Sequence, residues 1–394
     1  MTAIWLLQNK LAGDNAQVQA LGEFLAAERG WSIEAKPISP NLRQAGKQLF
    51  PQMPKLGIFT ASGMAAPWPD LVISCGGTSC IIAQWIKRRS DGRTIHVHLG
   101  RLGARPENID LILETAQYGV APTPNMVNLT LPFVRHDPQR QATALAEWQP
   151  KLAELPRPWL GVLVGGPASP ILFGAEEASQ LLRRITELHR DLGGSILVAY
   201  GPRSPIAVQE VLRAGMPKDD GAHRFFGWPA PSPNPYPALL ALCDRFLVTC
   251  DSASMIADAG VTDKPIELFM LPEVPDRFSW RGLGLSIDTR RRQRARDGLA
   301  PDLLDRLRDC LVRNRVITPY RDMRDLLHVL RRAGIAGNLD RGKAGSGRKL
   351  QQQEITRVGV RIAGLLQDAA RRRTGETRNE RQHDARGRAA QDPG

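Results

Sequence analysis

The chain has 394 residues, 42% of them hydrophobic. It is too long for one ordinary core and too apolar for a disordered chain, so two folded domains and a tail are expected. The net charge of +13, from 53 Lys/Arg against 40 Asp/Glu, favours anionic partners, while 6% aromatic content supplies no stacking platform for single strands. Specific nucleic-acid binding is therefore not expected.

Five scattered cysteines form no CxxC pair and no zinc-spaced cluster, which argues for a reducing, cytoplasmic setting without disulfides or a structural metal. The opening "AIWLL" is too short for a secretory leader and reads as a buried strand. No stretch approaches the roughly 20 apolar residues of a membrane span.

Strands and helices then alternate. "IWLL" (4–7) is a strand. The helix after it places Val18, Leu21 and Leu25 on one face and stops at Gly30. "DLVISCGG" (70–77) is a strand running into glycines, followed by the helix "SCIIAQWIKRRS" and the strands "TIHVHLG" and "IDLILET". A polar stretch bounded by Pro138 and by Pro156 and Pro158 marks a linker over 141–157.

A second strand–helix series starts at "WLGVLVGG". Its first helix presents Leu181, Leu182, Ile185 and Leu188 and stops at Gly193. "SILVAYG", "PYPALLALCD", "RFLVTC", "SASMIADAG" and "PIELFML" continue the series. The expected architecture is α/β: two Rossmann-like domains, 1–140 and 158–335, each with a parallel sheet covered on both faces. A helix over 350–370 carries Ile355, Val358, Ile362 and Leu365 on one face, weakened by Gly359 and Gly364. The polar tail 371–394 reads as disordered.

In open parallel sheets, ligands bind beyond the carboxyl ends of the strands. Four turns there carry small or hydroxyl residues: "CGGTS" (75–79), "VGGPASP" (164–170), "AYGPRSP" (199–205) and "TCDSASM" (249–255). In "VTCDSASMIADAG", Asp251, Ser252 and Ser254 are all good helix caps. A serine nucleophile would need a G-x-S-x-G frame and a downstream histidine. The frame is missing, and only His328 and His383 follow Ser254.

A phosphate cradle at the helix start fits better, with Asp258 one turn beyond Ser254 to accept from ribose hydroxyls. Asp251 would repel a phosphate and suits a cap or a loop-orienting role. Gly165, Gly166, Ser204 and Arg203 are the other diphosphate candidates, Arg203 as a bidentate cation. Asn234 before Tyr236 reads as a helix cap. Gln117 and Tyr118 are expected to face the cleft from the first domain. His96 and His98 share one strand face with no Cys or acid nearby in sequence, and read as ordinary strand residues. "DTRRRQRARDG" packs five arginines into 290–296, a candidate patch for anionic membrane.

These residues together resemble the family named for the plant elongated-mitochondria fission factor. The resemblance rests on Asn234-Pro235-Tyr236, then Thr249, Asp251, Ser252, Ser254, Met255, Asp258 and Ala259. "AGDNAQ" resembles that family's first turn, contributing Gly13, Asn15 and Gln17. "VISCGGTS" adds Gly76, Gly77 and Thr78, and "LETAQYGVAPTPNMVNLTLP", "LVGGPAS" and "YGPRSP" complete a likeness over about 3–335.

The resemblance implies a fold similar to GT-B glycosyltransferases and nucleotide-sugar 2-epimerases. It implies a nucleotide on the second domain and an acceptor on the first. The chain departs from the family pattern at Asp258 (usually Glu), at "YGPR" (one arginine fewer) and at Gln117-Tyr118 (elsewhere His-Asp, a candidate base). The resulting expectation is a metal-independent transferase using a nucleotide-sugar donor and no other cofactor, with a cell-envelope or lipid-linked acceptor. Arg203 would stabilise the leaving diphosphate, and Asp14, the accessible acid of a first-domain turn, is the candidate base. A nucleotide-sugar epimerase and a non-catalytic membrane adaptor are the alternatives.

Overall fold

The computed structural model describes residues 2–40, 59–60, 64–168, 170–217, 223–273, 280–314, 321–339 and 346–389. The chain divides into two compact units. Unit 1 comprises Met1–Leu113, Pro124–Val127 and Glu354–Gly394; unit 2 comprises Glu114–Thr123 and Asn128–Gln353.

Unit 1 is built on β1 (Ala3–Gln8), α1 (Ala12–Arg29), β2 (Ser32–Pro37), the short antiparallel pair β3 (Ser39–Pro40) and β4 (Phe59–Thr60), β5 (Leu71–Cys75), α2 (Gly77–Arg89), β6 (Ile95–Leu99), β7 (Leu111–Thr115) and β8 (Met126–Leu129). The sheet order is β2-β1-β5-β6-β7-β8, and β2 through β7 run parallel. β5, β6 and β7 are buried along their whole length, as strands covered on both faces must be. Val18, Leu21 and Leu25 of α1 are fully buried, and Gly30 ends that helix at φ 66°, where a side chain would be strained.

Unit 2 contains α3 (Pro138–Leu152), β9 (Trp159–Val164), α4 (Ala175–Leu192), β10 (Ser195–Tyr200), α5 (Ile206–Gly215), β11 (Arg224–Phe226), α6 (Tyr236–Leu242), β12 (Arg245–Thr249), α7 (Ala253–Gly260), β13 (Ile266–Phe269), α8 (Trp280–Arg296), α9 (Leu303–Arg313) and α10 (Met323–Arg332). Its sheet is fully parallel, in the order β11-β10-β9-β12-β13. On α4, Leu181, Ile185 and Leu188 are buried; Leu182 is half-buried and lies where a Cβ on Gly215 would meet it at 2.1 Å. The stretch 141–157, read from sequence as a linker, is largely α3, which belongs to unit 2 and packs beside α6.

The last helix, α11, spans Gly347–Ala389. Ile355, Val358 and Ile362 are buried in unit 1 and Leu365 is half-buried. Gly359 seats the helix on α1: a Cβ there would lie 2.9 Å from the Phe24 ring. The expectation of disorder over 371–394 falls largely outside what is described, since side chains from 373 and residues 390–394 are not. No described helix is long and apolar enough to cross a membrane.

Candidate functional site

Strand order locates the candidate sites. In unit 2 the chain passes from β9 outward through β10 to β11, then returns to the other side of β9 with β12. The reversal leaves a crevice at the carboxyl ends of β9 and β12, the usual ligand position in such sheets. Unit 1 reverses in the same way between β1 and β5.

At the unit 2 reversal, Gly165 and Gly166 follow β9. The Gly165 amide donates to Thr249 Oγ1 (2.9 Å) and the Gly166 amide to Asp251 Oδ2 (2.6 Å). No side chain fits at either glycine. A Cβ on Gly165 would lie 1.9 Å from Asp251 Oδ2, and one on Gly166 2.0 Å from the Arg203 carbonyl oxygen. Both amides are therefore committed inside the turn, and the two glycines contribute close approach.

Asp251 is fully buried and is not the cap of α7, which is Ser252. It braces the glycine turn, with Oδ1 lacking a hydrogen-bond partner. Burial pushes its carboxyl up, opposed by the hydrogen bonds from Thr249 and Gly166 and by Arg203. Ser204 is also turned inward, donating to the Val164 carbonyl at 2.8 Å.

The groups left facing outward are Arg203 and the start of α7. The Arg203 side chain is exposed, with one long contact to the Pro167 carbonyl at 3.5 Å. Ser252 Oγ accepts from the Met255 amide (3.4 Å) and contacts Ser254 Oγ (3.2 Å). The first-turn amides of a helix lack helical acceptors, and the helix dipole adds positive potential there.

One turn on, Asp258 Oδ2 accepts from the Tyr236 hydroxyl at 3.0 Å, while Asn234 Oδ1 caps the Tyr236 amide at 2.9 Å. The Asn-Pro-Tyr segment and Asp258 thus form one hydrogen-bonded unit joining α6 to α7. Burial raises the Asp258 pKa to about 6, against the lowering influence of Tyr236 and Arg140, and burial beside Asp258 raises Tyr236.

At the unit 1 reversal, Asn9 is the hub, a residue that sequence reasoning passed over. Asn9 Nδ2 donates to Asp14 Oδ2 (2.9 Å), to the Cys75 carbonyl (3.2 Å) and to Ser79 Oγ (3.4 Å). Its backbone is clasped by Asn15: the Asn9 amide donates to Asn15 Oδ1 (2.9 Å), and Asn15 Nδ2 donates back to the Asn9 carbonyl (2.8 Å). Gln17 Nε2 donates to the Gly13 carbonyl (3.3 Å). Gly76 caps α2 at φ 82°, with Asp14 Oδ2 2.8 Å from where a Cβ would stand. Gly77 has room for a Cβ, and Thr78 is exposed. The missed signal was an Asn directly after an apolar strand, positioned for an Asx turn: Leu11 N donates to Asn9 Oδ1 at 2.6 Å.

Gln117 and Tyr118 depart from expectation. They form a 3-10 turn after β7 that belongs to unit 2, and Gln117 is only 1% exposed, so it faces no solvent. Arg292 donates to the Gln117 and Tyr118 carbonyls (both 3.2 Å), Arg308 to the Gly119 carbonyl (2.9 Å) and the Asp322 amide to Gln117 (2.8 Å). Glu114, at the start of this segment, is buried and its pKa is raised to about 8, opposed by its hydrogen bond from the Val120 amide and by Arg292 and Arg308.

The 290–296 arginines are engaged in ion pairs. Arg290 meets Asp302, Arg291 meets Asp309, Arg292 meets Asp288 and Asp325, Arg294 meets Asp305, and Arg296 meets Asp322 and Asp325. Arg292 is buried with Arg308 around Asp288. Spacing alone suggested a cationic patch, whereas tertiary structure supplies an acid for each arginine.

Cys80 packs beside His96 and His98, and the ligand-type atoms of the three lie within 4.8 Å of one another. The hydrogen bonds nevertheless form a complete chain. Gln84 Nε2 donates to His96 Nδ1 (2.7 Å) and to the Asn108 carbonyl (2.9 Å). Ser74 Oγ lies 2.8 Å from both His96 Nε2 and His98 Nδ1, and His98 Nε2 donates to the Arg101 carbonyl (3.0 Å). Because a carbonyl only accepts, His98 carries its proton on Nε2. Ser74 then donates to His98 Nδ1 and accepts from His96 Nε2. Both rings are neutral, with every ring nitrogen engaged. Burial holds His96 well below its ordinary value and lowers His98 to about 4.

The mitochondrial fission ELM1 family profile matches residues 12–285, a span that includes the glycine turns after β5 and β9 and the whole of α7. The chain belongs to the mitochondrial fission ELM1 family. Mitochondrial fission protein ELM1 of Arabidopsis thaliana is 28% identical over 221 residues, covering 50% of this chain and 51% of that protein. The chain therefore spans about half the length of this curated relative.

Solved structures resembling this ELM1-family chain include a Staphylococcus aureus MnaA–UDP structure and the ADP-heptose lipopolysaccharide heptosyltransferase II of Escherichia coli. The first has 12% identity and a TM-score of 0.45, covering 92% of this chain and 97% of that one. The second has 14% identity and a TM-score of 0.39, covering 68% and 84%.

Proposed function

We propose that the carboxyl edge of the unit 2 sheet binds a nucleotide-sugar and that the protein transfers its glycosyl group to a cell-envelope or lipid-linked acceptor hydroxyl. One observation carries this reading. At a single strand-order reversal, an exposed arginine, a serine-capped helix start and the Tyr236–Asp258 pair are presented together. A diphosphate matches the first two groups, and a ribose diol matches a carboxylate one turn further along the helix.

In this reading the bond between the sugar's anomeric carbon and the diphosphate breaks, and both electrons leave with the diphosphate. Arg203 and the α7 amides stabilise the departing charge. The acceptor oxygen bonds to the anomeric carbon as its proton passes to water. Asp251 and the two glycines hold the turn rigid beneath the ligand.

The test is thermal-shift titration of the full chain with nucleoside diphosphates and nucleotide-sugars. At least one nucleotide should raise the melting temperature, and Arg203→Ala or Asp258→Ala should reduce that rise. A ribose held by the ionised Asp258 binds more tightly as pH rises through about 6, and Asp258→Asn removes that dependence. No shift with any nucleotide would defeat the reading and favour a non-catalytic adaptor.

A further inference from the structure

α9 is built inside out. Its buried face carries Asp305 (1% exposed), Arg308 (3%) and Val312 (7%). Its solvent face carries Leu303 (82% exposed), Leu304 (55%) and Leu307 (55%), continued by Leu299 (50%) just before the helix. At about 100° per residue, Leu303, Leu307 and Cys310 lie along one line, and Leu304 with the half-buried Leu311 widens it to an arc of roughly 120°. Arg306 and Arg313 are both exposed and flank this arc on one side. The helix's three acids, Asp305, Asp309 and its cap Asp302, are turned to the arginines of α8; Asp305 is buried and the other two are half-buried.

Folding alone gives no reason for this arrangement. An isolated exposed leucine is ordinary, but four within nine residues form a contiguous apolar patch, which marks a surface that something covers. Leucines bordered by arginines, without an exposed acid on the helix, make the profile of a helix lying in a lipid headgroup layer. Self-association fits less well. A twofold contact through this face would bring Arg306 and Arg313 towards their own copies. A handful of leucines also falls short of the roughly 800 Å² per partner that a stable pair of subunits buries.

We propose that α9 docks the protein onto an anionic lipid surface, with its leucines in the acyl boundary and Arg306 and Arg313 on the headgroups. This contact surface differs from the 290–296 arginines, which are engaged internally, and it does not depend on the nucleotide reading. A single short helix face implies reversible association.

Cys310 is the exposed one of the five cysteines and lies on the leucine arc, so it accepts a polarity-sensitive fluorophore at the contact. The experiment titrates the labelled full chain with phosphatidylglycerol/phosphatidylcholine vesicles and with pure phosphatidylcholine vesicles, and repeats co-sedimentation with unlabelled protein. A blue shift and co-sedimentation are expected with the anionic vesicles, weakening as salt rises. Leu303→Asp with Leu307→Asp should weaken binding by at least about tenfold while leaving circular dichroism and melting temperature unchanged. Arg306→Glu with Arg313→Glu should weaken anionic-vesicle binding as well. No binding to anionic vesicles, or equal binding by the leucine double variant, overturns the proposal. A concentration-dependent dimer in light scattering that this variant abolishes would overturn it too, assigning the face to a second copy.

Discussion

The two strand-order reversals solve one geometric problem with different chemistry. At β9/β12 a buried carboxylate, Asp251, reaches under a pair of glycines whose amides it and Thr249 occupy. At β1/β5 a neutral side chain, Asn9, gathers Asp14, Cys75 and Ser79 around a turn with room at Gly77. The first arrangement is sterically closed and rigid; the second is a half-buried polar network.

Replacing the glycines tests this contrast most severely. Gly166→Ala forces a Cβ into the Arg203 carbonyl and should cost about 3 kcal/mol or more, as overpacking against backbone does. Gly77→Ala meets nothing closer than 4.0 Å and should change stability by less than about 1 kcal/mol. Denaturant unfolding of the two variants measures the gap, and equal effects would remove the distinction.

Removing the two hubs gives a smaller difference. Asp251→Ala leaves the Gly166 amide buried without an acceptor and should cost about 2–3 kcal/mol. Asn9→Ala, in a part-buried network, should cost about 1 kcal/mol. Reversal of that order in denaturant midpoints would show that the unit 1 turn is the stiffer one.

The smallest effect is a pH slope specific to unit 2. The Asp258 pKa is raised to about 6 in the fold, so the folded state holds its proton longer than the unfolded chain does. Its contribution is fully present below about pH 4 and is lost as pH rises through about 6. Asp258→Asn should therefore flatten the decline in melting temperature across that window, whereas Asn9→Ala should leave the slope intact.

Much of the fold was legible in the sequence. The buried strands are short apolar runs ending in glycine or hydroxyl residues, and the α1 face, the α4 stop and the glycine turns follow from periodicity and local turn chemistry. α8, α9 and α10 were not, although Asp302 and Asp305 form a capping box and Asp322 caps α10. Their charge density hid the helical period.

Among the candidate site residues, Asn234, Tyr236, Ser252, Ser254 and Asp258 lie within 25 residues of one another, where the family resemblance and local spacing could name them and the structure joins Tyr236 to Asp258. What spacing cannot supply is the partner of a charge. Asp251, read as a cap or a loop-orienting acid, braces a turn whose position, 85 residues away, spacing did not give. The 290–296 arginines looked like a surface patch and meet acids up to 33 residues on. Gln117, expected to face the cleft, is buried, and its carbonyl is held by Arg292, 175 residues away. Local backbone preference and hydrophobic period act over a few residues and can be read from a string. The choice between a buried ion pair and a solvated charge depends on which distant chain segment arrives, and packing of the second sheet and its helices settles that.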